Sequence, residues 1–188
     1  MAEIPTTLDW RIDPSIDVER VTLEDVKFIF SQAEKRLDDT VKTGESIATK
    51  TISMITLLAG VLIALSGYII SDWKGMASAS HKDVVAIIGS LYSIALSIYM
   101  IKNVLPNNYY VLGSEPEVLM NPGFFESAVQ TDKITVFIYM NEIENYNLRI
   151  EKNLEVNTNR WGRYRFSVNA LVALPVILGV IYVLMEWL

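Results

Sequence analysis

Apolar and polar positions alternate in blocks along this chain. Three runs, residues 51–71, 84–101 and 166–185, carry no charged side chain, and the segments between them are rich in charge and asparagine. Each run is close to the ~20 residues a helix needs to cross a ~30 Å hydrocarbon core at 1.5 Å per residue. A helix of that length on a soluble protein would keep a polar face, and none of the three does. The pattern predicts membrane spans at 51–71, 84–103 and 165–187, with a short outer loop at 72–83 and a cytoplasmic loop at 104–130.

The segments outside the runs carry a second pattern. Residues 1–21, with Pro5 and Pro14, show no helical period and read as irregular. Thr22 and Asp25 have capping-box spacing, in which hydroxyl and carboxylate satisfy free amides at a helix start. From there Val26, Ile29, Phe30, Ala33, Leu37 and Val41 recur in steps of three and four, an amphipathic stripe. No proline follows before the end of the first run, so a cytoplasmic helix over 22–50 continues into span one. Gly44 is its candidate bend, and the whole would measure ~75 Å if unbroken. After span two, Pro106, Asn107 and Asn108 end the helix, and Gly113, Pro116, Pro122 and Gly123 punctuate a loop. A second cytoplasmic helix over 131–164 shows Ile134, Phe137, Ile138, Ile143, Leu148 and Leu154. Asparagines 141, 145, 147, 153, 157 and 159 are expected on its surface, and it runs through Arg160–Arg165 into span three. Val26, Phe30 and Leu37 on one helix and Phe137 and Leu148 on the other are the expected packing contacts. The fold class is therefore an all-α membrane protein, with two of three spans extended by long cytoplasmic helices packed as a stalk and head.

Charge refines this picture. Sixteen Lys and Arg against 22 Asp and Glu leave a net −6, and no basic face of the kind that binds phosphodiester backbones is visible, so no direct nucleic-acid partner is expected. With no cysteine there is no disulfide framework. The acidic, polar N-terminal segment is unlike a signal peptide, so span one is expected to act as an internal signal-anchor. Lys42 and Lys50 precede span one, Lys102 follows span two, and Arg160, Arg163 and Arg165 precede span three. The opposite side has only Lys74 and Lys82, beside Asp72 and Asp83. The excess of basic residues places the N-terminus and the 102–165 segment in the cytoplasm and the C-terminus at the outer face. Trp73, Trp161 and Trp187 fall at the interfaces, as aromatic anchors do.

Candidate chemistry is sparse. His81, the only histidine, falls in the expected outer loop and reads as a solvated residue. There is no glycine-rich phosphate loop, no nucleophile elbow and no metal-spaced cluster. The acidic pairs Asp38–Asp39 and Glu142–Glu144 lie on helix faces expected to be wet. No enzyme activity, cofactor or metal is expected. Within the spans, Gly60 and Ala64 form one small-residue step, and Gly89, Ser93 and Ser97 a longer one. Such residues let helices approach closely where lipid offers no hydrophobic drive. The other reading of these positions is a weakly polar pore lining, with Ser66, Tyr92, Ser93, Tyr99 and Asn169 as its members. Asn169 either finds a partner or water in the membrane or reaches the headgroups, and Pro175 is expected to kink span three. The absence of an ionised side chain in any run argues against a proton pump or ion-coupled transporter.

One further pattern runs through the chain. Gln32-Ala33-Glu34-Lys35-Arg36-Leu37 lies on a helix leading straight into a span, and a short hairpin leads to the second. Leu105-Pro106…Tyr110-x-x-Gly113-x-x-Pro116-x-x-Leu119 follows, then a long helix with Tyr146-Asn147 and Asn157. In layout and in these weak motifs, residues 22–161 resemble the SLATT-like small membrane effectors of bacterial anti-phage systems. Many of those have two spans, whereas this chain has a third. The resemblance implies an abortive-infection effector of the bacterial inner membrane, a homo-oligomer triggered by a cytoplasmic sensor or enzyme encoded nearby, that permeabilises or depolarises the bilayer. The alternatives are a membrane anchor or scaffold recruiting a soluble sensor or enzyme, and a constitutive ion-channel subunit. If a nucleotide is the trigger, Lys35, Arg36, Arg149 and Lys152 are the cations available to its phosphates.

Overall fold

The computed structural model describes residues 20–72, 80–105, 109–111, 113 and 131–187; of Asp72, Thr131 and Asp132 only the backbone is described. Three helices account for nearly all of these: α1 (Leu23–Asp72), α2 (His81–Ile101) and α3 (Thr131–Glu186). No strand occurs among the described residues. Each helix is long and apolar enough to cross a bilayer. The expected irregular segment falls outside the described residues up to position 19, as do Trp73, Lys74 and most of the 104–130 loop.

α1 starts where its sequence supplies donors and acceptors for the first turn. The Thr22 amide donates to Asp25 Oδ2 at 3.1 Å, and the Asp25 amide donates to Thr22 Oγ1 at 3.2 Å. The Thr22 hydroxyl, and then its amide, hold the Asp25 carboxyl below the ordinary carboxylate range. Because the folded value is the lower one, this contribution is complete above about pH 4 and is lost as pH falls through the folded value. The expected result is acid fraying of the first turn, read as faster amide exchange at Val26 and Lys27. Asp25→Asn should make that exchange pH-independent once the intrinsic rate is removed. The helix then passes Gly44 without interruption.

α2 begins earlier than the sequence suggested. His81, Lys82 and Asp83, expected in a loop, form its first turn. Ser80 is the N-cap, and its hydroxyl and the Asp83 carboxylate make a reciprocal capping box. That motif, Ser-x-x-Asp, is the same signal as Thr22-x-x-Asp25 and marks helix starts generally. His81 Nδ1 lies 3.8 Å from a Glu186 carboxylate oxygen, with both side chains about half exposed.

Two compact units divide the chain. The first comprises Met1–Thr43 and Asn108–Val156, the second Gly44–Asn107 and Asn157–Leu188. In the first, Val26 packs with Val136 and Met140, and Leu37 with Tyr146 and Ile150. Phe30 joins Leu37's cluster and lies edge-on to Tyr139 and stacked on Tyr146, with ring centroids 5.2 and 5.1 Å apart. In the second unit, Met54 and Leu58 of α1 meet Leu96 and Met100 of α2, and Tyr164, Val168 and Leu171 of α3 close the cluster.

Burial along the helices follows a strict rhythm. On α1 it recurs at Leu37, Thr40, Gly44, Ile47, Thr51, Met54 and Leu58, alternating steps of three and four. This 3.5-residue period is that of a helix that keeps one seam against its neighbour. α3 has the same rhythm at Tyr146, Ile150, Asn153, Asn157 and Arg160, and again at Ser167 and Leu174. The expected stripe through Leu148 and Leu154 is therefore one register off. Leu148 and Leu154 are exposed, Phe137 is half-buried, and Asn153 and Asn157, expected at the surface, are inside. The seam keeps its period by accepting polar residues such as Thr40, Asn153 and Arg160, which are hydrogen-bonded, and Ser167, whose buried hydroxyl has no partner among the described residues; a count of apolar residues misses it. Glu142, expected to be wet, is also buried and accepts a bond from Asn145 at 3.2 Å.

Candidate functional site

Polar side chains converge at three places, and each follows from the helix register. In the first unit, α3 holds the irregular segment Tyr109–Val111 and Gly113. Asn153 is fully buried and uses both ends of its amide on one residue: the Tyr110 N–H donates to Oδ1 at 3.1 Å, and Nδ2 donates to the Tyr110 carbonyl at 2.9 Å. Nδ2 also donates to Thr40 Oγ1 of α1 at 3.1 Å. One turn earlier, Arg149 donates to the carbonyls of Val111 and Gly113 at 3.2 and 2.6 Å, and the Gly113 amide donates to the Tyr146 hydroxyl at 3.1 Å. Gly113 sits at φ 84°, a left-handed conformation that glycine adopts without steric cost. Residues 146, 149 and 153 thus present one face of α3 to a backbone and read it without regard to its side chains.

This arrangement redefines the cationic set. Arg149 stacks on Tyr146 and is engaged with two carbonyls. Lys35, Arg36 and Lys152 are exposed. Lys35 and Arg36 stand on α1, and Lys152 stands on α3 three residues from Arg149.

The second place is the end of α2. The Met100 and Ile101 carbonyls accept from the amides of Asn103, Val104 and Leu105 in the turn that follows, and α3 supplies donors to the next two carbonyls, those of Lys102 and Asn103. The Arg160 guanidinium donates to the Asn103 carbonyl, and Asn103 Nδ2 donates back to the Arg160 carbonyl at 3.0 Å. Arg163 donates to Asn103 Oδ1 at 3.1 Å and reaches the Lys102 carbonyl at 3.5 Å. Two cations at a helix C-terminus also complement the negative end of its dipole. Asn103 and Arg160 are both buried. Beside them, Lys50 of α1 lies over the Trp161 ring at 5.4 Å, and Trp161 stacks on Tyr164.

The third place is the interior of the apolar part of the second unit. Gly89 is buried where the three helices meet: a Cβ there would lie 3.1 Å from Leu65 Cδ1 and 3.2 Å from Leu178 Cδ1. Ser93 is buried and donates to the Gly89 carbonyl, and Ser97 donates to that of Ser93. The Tyr92 hydroxyl donates to the Ala170 carbonyl at 3.0 Å. Tyr99 is partly exposed, edge-on to Phe166. These polar groups bond to backbone inside the unit, and the core between the helices is Met, Leu and Tyr.

Other named positions face outward. Gly60 and Ala64 are exposed, and a Cβ at Gly60 would meet nothing within 4 Å. Asn169 and Pro175 are exposed as well, and α3 continues as helix through Pro175. Among the described residues no cluster of three His, Asp or Glu could hold a metal ion. The residues missed by sequence reading are Asn103, Thr40, Asn153 and Asn157, all at positions where the seam continues through a polar residue. Following the three-four rhythm past Tyr146 would have found the α3 pair. No family model, curated protein or solved structure matches the chain.

Proposed function

We propose that this chain is a non-enzymatic effector of the bacterial inner membrane, oligomerising within the bilayer and permeabilising or depolarising it when triggered. The observation that carries this reading is the outer face of α1. Thr49, Ser53, Thr56, Gly60, Ala64, Gly67 and Ser71 are all exposed and follow in steps of three and four. The hydroxyls of Thr49, Ser53, Thr56 and Ser71 donate to carbonyls of their own helix at 3.0–3.1 Å. Such a face is small, internally satisfied and open to close approach by a second helix. Much apolar surface is also left uncovered: only 11%, 28% and 6% of the apolar windows of α1, α2 and α3 are buried within the chain. Lipid or further copies cover the rest.

A water path in this reading forms between copies, since the interior of the second unit is filled by Met54, Leu58, Leu96 and Met100. The hydroxyls along α1 would line it when they turn from their own carbonyls. The N-terminus and the first unit lie in the cytoplasm as stalk and head, and the C-terminus lies at the outer face. The trigger is a cytoplasmic sensor or enzyme, as the resemblance in layout to SLATT-like effectors implies.

The test is membrane potential, read with a voltage-sensitive dye, in bacteria expressing the chain alone and with its genomic neighbours. Wild type should depolarise the membrane and arrest growth, and Gly60→Leu should abolish both while keeping wild-type thermal stability, since nothing lies within 4 Å of the added carbon. A stable potential in every strain, including during phage challenge, would overturn the effector reading. It would favour a membrane anchor, for which Phe28, Ile29 and Leu148, exposed on the first unit, are the docking candidates.

A further inference from the structure

The geometry points to a binding site for the phosphate of an anionic phospholipid headgroup, built by Lys50, Trp161 and Arg165. It rests on the reading that the three helices span a bilayer, and not on what the assembled protein does there.

Lys50 immediately precedes the first apolar run, and Arg165 immediately precedes the third. Both are exposed cations at the depth where the hydrocarbon gives way to headgroups. Trp161 and Arg165 are one turn apart on α3 and so share a face. Lys50 reaches that face from α1, its ammonium 5.4 Å from the Trp161 ring centroid. Stacking on Tyr164, with ring planes 28° apart, sets the plane of the indole. The result is an ammonium over an indole, with a guanidinium one turn further along the same face of α3 on the surface of the second unit.

Among the described residues neither Lys50 nor Arg165 has a carboxylate within ion-pair distance. One turn before Lys50 on α1 stands Ser46, and the nearest acid in sequence, Glu45, lies about 140° around the helix from Lys50. One turn to either side of Arg165 stand Trp161 and Asn169, neither of them charged. Arg160 and Arg163, close by in sequence, are used on the end of α2. Lys50 and Arg165 therefore differ from these neighbours in having no protein oxygen to donate to among the described residues. A long cationic side chain at the edge of the hydrocarbon extends to the headgroup layer, where anionic lipid attracts it. The ammonium keeps its N–H groups when a ring lies to one side, and a guanidinium can chelate two phosphate oxygens. A lipid phosphate lies at the required depth, with its acyl chains along the uncovered face of α3, where Val172, Val176 and Val180 are exposed. A soluble phosphate offers the same oxygens without the chains.

The experiment uses the full chain in nanodiscs of phosphatidylcholine doped with phosphatidylglycerol, and native mass spectrometry of the retained lipids after release into detergent. Wild type should retain phosphatidylglycerol in preference to phosphatidylcholine. Lys50→Gln with Arg165→Gln should weaken that preference about thirtyfold, at roughly one surface-lipid interaction lost per cation. The Lys35→Gln, Lys152→Gln control should not change it, and Lys50→Arg should preserve it. Both altered side chains are exposed, so thermal stability serves as the check that packing is intact. Equal retention of the two lipids by wild type, or equal loss in the control, would overturn the site. Displacement of the bound lipid by low-millimolar inorganic phosphate would assign it to a soluble ligand instead and overturn the lipid reading. If the chain failed to enter nanodiscs of either composition, the spanning reading would fall first, and that outcome is distinct from loss of lipid preference.

Discussion

Gly89→Leu is expected to be the most destabilising single change in the second unit. A first added carbon already falls 3.1 and 3.2 Å from methyl groups of Leu65 and Leu178. Those are the ends of flexible side chains, and they can withdraw by a few tenths of an ångström, so Gly89→Ala should be mild. A leucine adds three further carbons in a space those side chains fill, and α2 must then move away from α1 and α3. Overpacking of well-filled cores costs ~1–3 kcal/mol, and leucine belongs at the upper end. At roughly 2–4 °C per kcal/mol for a chain of this size, a drop of ~6–12 °C is expected in detergent. Activity should be lost together with stability, whereas Gly60→Leu should lose activity alone. A wild-type melting temperature for Gly89→Leu would show that α2 does not pack through this glycine. The contrast between the two glycines separates packing within one copy from contact between copies.

The second large effect is expected at Asn153. Asn153→Leu removes an acceptor for the Tyr110 amide and a donor for its carbonyl, as well as the bond to Thr40. A buried polar group stripped of its partner costs ~1–3 kcal/mol. Tyr110 is 45% exposed, so water recovers part of the loss, and about 2–3 kcal/mol is expected in total. Asn153→Asp is the sharper probe. It keeps the acceptor for the Tyr110 N–H but turns a carboxylate oxygen toward the Tyr110 carbonyl and Thr40. Burial and the facing carbonyl both raise its pKa. Its destabilisation should therefore be greatest at neutral pH and shrink as the solution is acidified and the carboxyl regains a proton to donate. Amide exchange at Tyr110 and Gly113 reads the effect locally. Unchanged exchange in both variants would mean that Arg149 and Tyr146 hold the segment without Asn153.

Much of the architecture is legible in the sequence because a bilayer imposes coarse requirements. Twenty apolar residues without charge have few other uses, so the three long helices follow directly from the runs. The start of α1 is legible for a different reason: Thr22 and Asp25 act within one turn, and Val26 and Leu37 sit on its seam. The start of α2 was equally available in Ser80 and Asp83 but was obscured by the expectation of a polar loop. The face of α3 was not legible from hydrophobicity. Its seam runs through Asn153, Asn157 and Arg160, and whether an amide there is buried depends on partners contributed by distant residues: Tyr110 lies 43 positions from Asn153. The same dependence hid the role of Arg149, since an arginine on a helix surface and one clamped on two carbonyls have the same local sequence. Gly60 and Gly89, both small residues in apolar runs, were likewise indistinguishable until the helix register showed which faced in.

The cap on α2 has a consequence for biosynthesis. Asn103 and Arg160 are 57 residues apart, so α2 is made well before the residue that completes its end. At about 5–20 residues per second, the interval is on the order of 3–11 s. During it, the Met100 and Ile101 carbonyls have the local amides of residues 103–105, but the Lys102 and Asn103 carbonyls, which later accept from Arg163 and Arg160, have no donor from α3. A nascent chain stalled before α3 emerges would hold α1 and α2, the second without Arg160 and Arg163 at its end.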